Sequence, residues 1–198
     1  MPLNTFIFLD VIVQTSFLLS GAAFFFLALL FGDALLVRFE FKTFLKSLAF
    51  FLFGCSLIMN WLKFSDSIAI FWLMPIALCL LFIGYILDPL SRLRFILPLP
   101  AVFFPFLKGH ILLFVLGLLT TLVIFQLAYT TKHRDLIPVG VGFSLLSIGE
   151  YFYHLETIDK LSQLAKAGSF LYLFSALVLL GWVWSYLAIR FINIRKKN

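Results

Sequence analysis

Charged residues are scarce in this sequence, and their scarcity excludes a water-soluble domain. Only 12% of the 198 residues are charged, whereas 63% are hydrophobic and the mean hydropathy is +1.12. A soluble domain of this length buries roughly two thirds of its surface and needs a charged exterior. Uncharged stretches of about 20 residues recur instead, which is the length of a helix that crosses a bilayer. The composition predicts an all-α integral membrane bundle in a single domain, residues 1–198.

Motifs for catalysis and cofactor binding are also missing, and each absence removes a class of protein. The sequence contains no Gly-Lys-Ser/Thr phosphate loop, no nucleophile elbow and no Cys-x-x-Cys pair. The last apolar run, Gly168 to Ile192, has no lysine to form a Schiff base with retinal. Three histidines are too few for a multi-haem cytochrome. We therefore expect no cofactor and no catalytic residue.

Apolar runs predict six clear membrane spans and leave one segment open. The clear runs cover residues 6–31, 44–62, 68–87, 110–131, 136–155 and 168–192. Between Arg94 and Lys108, the apolar segment Phe95 to Leu107 is interrupted by three prolines. At helical rise it covers only about 20 Å of a hydrocarbon core about 30 Å thick. It is either a short, kinked seventh span or a re-entrant hairpin.

The distribution of lysine and arginine favours seven spans. Cytoplasmic loops of membrane proteins are rich in lysine and arginine. In this sequence these residues occur in small groups between apolar runs, which is unlike the basic surface of a nucleic-acid-binding protein. With seven spans and an outside N-terminus, eleven of the fifteen basic residues fall on the cytoplasmic side: Arg38, Lys42, Lys46, Arg92, Arg94, Lys132, Arg134, Arg190, Arg195, Lys196 and Lys197. With six spans, eight basic residues fall on one side of the membrane and seven on the other, so their distribution indicates no orientation. We predict seven spans in the inner cell membrane, with a cytoplasmic C-terminus.

Four ionisable residues form the candidate site. Glu150 lies about 9 Å inside the outer boundary if its span begins near residue 136. His154 follows at i+4, on the same helical face. His110 opens the preceding span, which brings it to the level of His154, and Asp10 lies early in the first span on the same outer side. Ionisable groups inside a membrane are expensive and are functional candidates by default.

Three interpretations of this cluster stay open. Glu150 and His154 suit a ligand-binding or proton-responsive switch, in which burial changes the titration of the carboxyl group. His110, Glu150 and His154 together offer two imidazoles and a carboxylate, a donor set that suits zinc or iron. Alternatively, the histidines lie among the lipid headgroups and Glu150 bonds a serine or tyrosine within the bundle.

Three passages carry a family resemblance: YILDPLSRLRFILPLPAVFF, VGFSLLSIGEYFYHL and LVLLGWVWSYLAIRF. They resemble the seven-helix membrane sensor region at the N-terminus of some bacterial histidine kinases and cyclic-nucleotide enzymes. The resemblance implies a non-enzymatic module that senses a small ligand or the state of the bilayer and passes helix movement to a cytoplasmic domain. No such domain follows Asn198 in this sequence. We therefore expect a membrane-protein partner or a homo-oligomer to receive the signal.

The leading hypothesis from the sequence is a non-enzymatic multi-pass membrane protein that acts as a sensor-like or assembly subunit. A second hypothesis is an intramembrane enzyme or metal protein that uses His110, Glu150 and His154. A third is a small transporter or channel, favoured only by Glu150 and by the proline-interrupted segment Phe95 to Leu107.

Overall fold

All regular secondary structure in the described part of the chain is helical. The computed structural model describes residues 3–62, 68–88, 91–103, 106–159 and 162–195. The helices are α1 (Leu3–Val37), α2 (Phe41–Trp61), α3 (Ile68–Ile86), α4 (Leu99–Phe103), α5 (His110–Thr131), α6 (Leu136–Asp159) and α7 (Ser162–Arg195), with a 3₁₀ turn at Arg94–Ile96. The predicted all-α class is confirmed for these residues.

Most of the helices have the length and composition of membrane spans. Within the described residues, five helices are long and apolar enough to cross a bilayer: Val11–Val37, Phe41–Trp61, His110–Thr131, Leu136–Ile158 and Leu164–Ile189. A shorter apolar helix covers Trp72–Ile86, within α3. These runs coincide with the six clear spans expected from the sequence. The chain is therefore a helical, membrane-embedded bundle, and the described residues of the seventh predicted span contain only the short helix α4 and the 3₁₀ turn.

The six long helices close into a ring. α1 packs on α2, α2 on α3, α3 on α5, α5 on α6 and α6 on α7, and α7 returns to α1. Four phenylalanine rings from α1, α2 and α6 fill the middle: Phe24, Phe50, Phe53 and Phe143 are at most 1% exposed. Their ring centroids lie 4.5–6.4 Å apart in five pairs. The centre of the ring is thus packed with aromatic side chains.

Contacts between neighbouring helices give the direction of α3 relative to α1. α1 and α2 are joined by residues 38–40 alone and pack against each other, so they run antiparallel. Lys42, at the start of α2, bonds Asp88, just beyond the end of α3, with 3.3 Å between Nζ and Oδ2. α3 is therefore antiparallel to α2 and parallel to α1.

The direction of α5 follows from α6. Phe17 of α1 contacts Tyr153 of α6, whereas Phe24, further along α1, contacts the earlier residue Phe143. α6 therefore runs antiparallel to α1. α5 reaches α6 through residues 132–135 and packs against it, so α5 is antiparallel to α6. It follows that α5 is parallel to both α1 and α3.

Because α3 and α5 are parallel, the chain between them returns along the bundle from one end to the other. Near its beginning, the Arg92 N–H donates to Gln126 Oε1 at 3.2 Å, close to the end of α5. At its end, Gly109 caps the start of α5. These two points on α5 are about 25 Å apart. The proline segment forms the 3₁₀ turn and the five-residue helix α4 along this path.

We name the two ends of the bundle by their contents. The basic end contains the described link residues 38–40, 87–88, 91–92 and 132–135, and the cavity end contains Leu62 and Gly109. Among the basic residues whose side chains are described, Lys108 and Lys166 lie toward the cavity end, whereas the following lie toward the basic end: Arg38, Lys42, Lys46, Arg92, Arg94, Lys132 and Arg134.

Candidate functional site

Glu150 is buried in α6, and both of its carboxyl oxygens have a partner. Its exposed fraction is 2%. Oε2 lies 2.6 Å from Nδ1 of His110, at the start of α5, and Oε1 accepts a hydrogen bond from the hydroxyl of Tyr172 in α7. A polar group removed from water costs free energy unless it is hydrogen-bonded, and a carboxyl group costs more. The two partners make this depth tolerable for Glu150 and connect α6 to both of its neighbours.

Small residues bring α6 and α7 close enough for the Tyr172 bond. A Cβ added at Gly149 would lie 2.9 Å from the Tyr172 ring and 3.2 Å from the carbonyl oxygen of Gly168. A Cβ added at Gly168 would lie 3.1 Å from the carbonyl oxygen of Gly149. The two helix backbones therefore touch beside Glu150, as small residues allow in membrane bundles.

An aromatic wall orients the imidazole of His110. The ring of Tyr153 stacks on that of His110 with 5.5 Å between centroids. The Tyr153 hydroxyl lies 2.7 Å from Ser169 Oγ, which itself donates to the carbonyl of Ala165. Because the single proton of Ser169 is used, Tyr153 is the donor of the first bond. The stacked ring and the Nδ1 contact together fix the orientation of the His110 imidazole.

A cavity of about 390 Å³ adjoins this network. All six long helices contribute to its wall, most of which is apolar or aromatic. The lining residues are Phe17, Ser56, Asn60, Met74, Pro75, Gly109, His110, Leu113, Glu150, Tyr153 and Tyr172. Small-molecule sites in proteins have this volume range and this combination of an apolar wall with a few convergent polar groups.

Ser56 adds an unused polar group to the cavity wall. Its side chain is 1% exposed, and its hydroxyl oxygen has no hydrogen-bond partner among the described residues. Helical serines commonly bond a carbonyl of their own helix, as Ser147 does with Phe143 at 2.7 Å. A buried hydroxyl without a partner is unfavourable. Together with Asn60 on the same helix, Ser56 offers hydrogen bonds opposite the Glu150 network.

The structure brings together two of the four predicted site residues. His110 and Glu150 are paired, although the sequence placed His154 next to Glu150. The carbonyl of His154 accepts a bond from the Thr157 hydroxyl, while both Glu150 oxygens are taken by His110 and Tyr172. The side chain of Asp10 lies outside the described residues.

The described side chains give no support to a metal centre. No group of three or more His, Cys, Asp or Glu in that part of the chain is arranged to hold a metal ion.

The third interpretation of the sequence had Glu150 bonded to a serine or tyrosine within the bundle. In the structure Glu150 accepts a hydrogen bond from Tyr172. His110 nevertheless belongs to the network, and that alternative had placed it among the headgroups.

Tyr172, Tyr153 and Ser56 are site residues that the sequence analysis missed. Each looks like one of many hydroxyl side chains in an apolar helix, with no special spacing. A usable signal was present at Gly149, which precedes Glu150, because a small residue in a membrane span indicates a close helix approach at that depth.

Comparison with known proteins adds no relative. The chain matches no protein-family model, and no match to it was found among curated proteins or among solved structures. The resemblance to sensor regions therefore stays a prediction.

Proposed function

We propose that this protein is a non-enzymatic, multi-pass membrane sensor that crosses the bilayer seven times and binds a small ligand in the cavity beside Glu150. The cavity carries the proposal, because every long helix contributes to its wall. A ligand that fills such a space contacts all six helices at once. If it prefers one arrangement of them, it shifts the population toward that arrangement.

The seven crossings are supported by the parallel course of α3 and α5. A connection that leaves the basic end at Arg92 and arrives at the cavity end at Gly109 crosses the bilayer even though its described helices are short. Leu93, Ile96 and Leu107 of this connection pack against the core of the bundle, and irregular backbone is tolerated at membrane depth where it is packed against protein. Cytoplasmic loops collect basic residues, so the basic end is the cytoplasmic one. The cavity then opens toward the outside of the inner membrane, on the side of the N-terminus.

The alternative functions have less support. The phenylalanine cluster at Phe24, Phe50, Phe53 and Phe143 fills the centre of the bundle, which disfavours an open channel through it. Carboxyl, imidazole and phenol groups at Glu150, His110 and Tyr172 offer acid–base chemistry but no nucleophile poised for a covalent step. We therefore assign the network a binding role, with a membrane partner or a second copy of the chain receiving the signal.

A topology experiment tests the arrangement in the membrane. One reporter is inserted at Phe39, in the link between α1 and α2, and another is inserted at Gly109 in a separate fusion. We expect the first to be cytoplasmic and the second to be outside. If both reporters report the same side, the segment between α3 and α5 does not cross and the proposed outward cavity is wrong.

A binding experiment tests the sensor role. Thermal unfolding of the purified protein in mild detergent is measured with small apolar alcohols, acids and amines. We expect one chemical class to raise the unfolding temperature of the wild type but not of Ser56→Leu, which fills the cavity. Gly181→Leu adds the same side chain where no atom lies within 4 Å of the glycine and should respond like the wild type. Equal responses in all three proteins would mean that the compounds act on the detergent or on the outer surface.

A copurification experiment tests the partner. Extraction in mild detergent should yield the chain together with another membrane protein or with a second copy. A chain that always emerges as a monomer would contradict the subunit role while leaving ligand binding to be measured separately.

A further inference from the structure

A second concave surface lies at the basic end, opposite the cavity. This basic cleft has a volume of about 670 Å³ and is lined by Arg92, Phe125, Ala128, Tyr129, Thr130, Lys132, Arg134 and Ile137. Three of its lining residues are cations and none is acidic. From these features we infer that the basic cleft binds the phosphate headgroup of an anionic membrane phospholipid.

The three cations are brought together by separate parts of the chain. Arg92 belongs to the connection after α3, Lys132 caps the end of α5, and Arg134 lies in the link to α6. The Arg92 backbone is tied to α5 through Gln126, whose Nε2 in turn donates to the Thr130 hydroxyl at 2.6 Å. The Arg92–Gln126 hydrogen bond thus joins two walls of the cleft, and the Gln126–Thr130 bond fixes the glutamine side chain on α5.

Lys132 has a left-handed backbone conformation, which glycine and asparagine adopt more readily than lysine. Its φ is 57°, and it is the C-cap of α5. Helices that end in this left-handed conformation usually carry glycine or asparagine there, because a Cβ is unfavourable. A lysine at this position keeps a cation at the helix end, where it also complements the helix dipole. An anion bound in the cleft would use the same cation.

The apolar wall of the basic cleft favours a lipid over a free phosphate ion as the ligand. Tyr129 is 89% exposed and Ile137 is 43% exposed, and both belong to helices that have the composition of membrane spans. A phospholipid places its acyl chains against such residues and its phosphate at the level of the flanking cations. Basic pockets between membrane helices on the cytoplasmic side commonly bind anionic headgroups in this way.

Other cations at the same end provide an internal contrast. Arg38 and Lys42 both pair with Glu40, at 3.6 and 3.4 Å, and Lys42 also pairs with Asp88. Their charge is partly neutralised by these carboxylates. The basic cleft therefore differs from its surroundings in having cations without an acidic lining residue, and Arg38 serves as a control of equal charge.

Native mass spectrometry of the whole chain tests the inference. The protein is equilibrated in detergent with equal amounts of phosphatidylglycerol and phosphatidylcholine that carry identical acyl chains. We expect the wild type to retain phosphatidylglycerol selectively. Arg92→Gln should reduce the selectivity about five-fold, and a triple variant that also carries K132Q and R134Q should abolish it.

The controls distinguish a built site from general attraction. Arg38→Gln should keep the selectivity within about two-fold, because its cation is already paired. Lys132→Gly suits the left-handed backbone, so it should fold normally and still lose selectivity. An equal loss in Arg38→Gln, or a wild type without preference, would overturn the inference. Displacement of the lipid by excess inorganic phosphate would show a site for free anions instead. None of these outcomes depends on the cavity beside Glu150.

Discussion

Glu150 at the cavity end and Lys46 at the basic end are both almost inaccessible, at 2% and 8% exposed, yet their surroundings differ. Glu150 has a hydrogen-bonding partner for each oxygen. Lys46 instead packs its stem beside Gly84 and places its ammonium 4.1 Å from the centre of the Tyr85 ring. Long lysine chains bury apolar stems and direct the charge toward the membrane surface.

The difference indicates where the molecule needs exact geometry. A glutamate side chain is too short to reach the headgroups from its depth, so neighbouring helices must supply its partners. A lysine near the end of a helix needs no dedicated partner. We therefore expect the cavity end to be sensitive to small changes and the basic end to tolerate them, and the predictions below test that contrast.

The largest effect is expected from Glu150→Ala. The substitution leaves the buried Tyr172 hydroxyl and the His110 imidazole without their shared partner. Breaking a buried polar network from one side typically costs about 3 kcal/mol of unfolding free energy. Unfolding titrations in mixed micelles measure this change. Glu150→Gln retains an acceptor for Tyr172 and should cost only about 1 kcal/mol, so equal losses in both variants would argue against the network as the cause.

Gly149→Ala should have the next largest effect. Its new Cβ meets the Tyr172 ring at 2.9 Å, and the ring cannot move away without losing its bond to Glu150. Overpacking of this kind costs about 2 kcal/mol. Gly181→Ala is the matched control in α7, since no atom lies within 4 Å of its position. Thermal unfolding of the two variants compares them directly, and a stable Gly149→Ala would mean that α6 and α7 are further apart.

Much of this fold can be predicted from the sequence, because membrane spans are recognised by their apolar composition. The runs at residues 44–62 and 110–131 correspond closely to α2 and α5, Phe41–Trp61 and His110–Thr131. Helix ends were less accurate: α1 reaches Val37, six residues beyond the predicted run, because helical hydrogen bonding continues after the apolar stretch ends. The proline segment was identified as exceptional, but its course along the bundle depends on contacts that no local pattern encodes.

Only half of the site could be predicted from the sequence, because its contacts form between helices. Pairing of Glu150 with His154 followed from i, i+4 spacing, which describes a single helix. The actual partners, His110 and Tyr172, come from the two neighbouring helices and depend on the close approach at Gly149. Spacing along a chain identifies which groups are ionisable, whereas helix packing determines which of them meet.

Lys46→Met should have a small effect at the basic end. Methionine keeps an unbranched apolar stem beside Gly84 and removes only the ammonium group above Tyr85. A cation–π contact of this kind contributes about 0.5–1 kcal/mol, so the unfolding free energy should fall by less than about 1 kcal/mol. Micelle unfolding titrations, run beside Glu150→Ala, provide the measurement. A loss as large as that of Glu150→Ala would contradict the contrast between the two ends.

Ser56→Ala should change stability least and binding most selectively. Its buried hydroxyl has no partner among the described residues, so removing it should leave the unfolding free energy unchanged or raise it by up to about 1 kcal/mol. A compound that stabilises the wild type through the cavity should then bind the variant more weakly, because the hydroxyl lines its site. Thr121→Val is the control, since the Thr121 hydroxyl is also buried without a partner in the described part of the chain but does not line the cavity. Calorimetric unfolding with and without the compound separates the two effects: weaker binding in both variants would locate the effect in the bundle as a whole, whereas a loss confined to Ser56→Ala would identify a hydroxyl that is kept for its ligand.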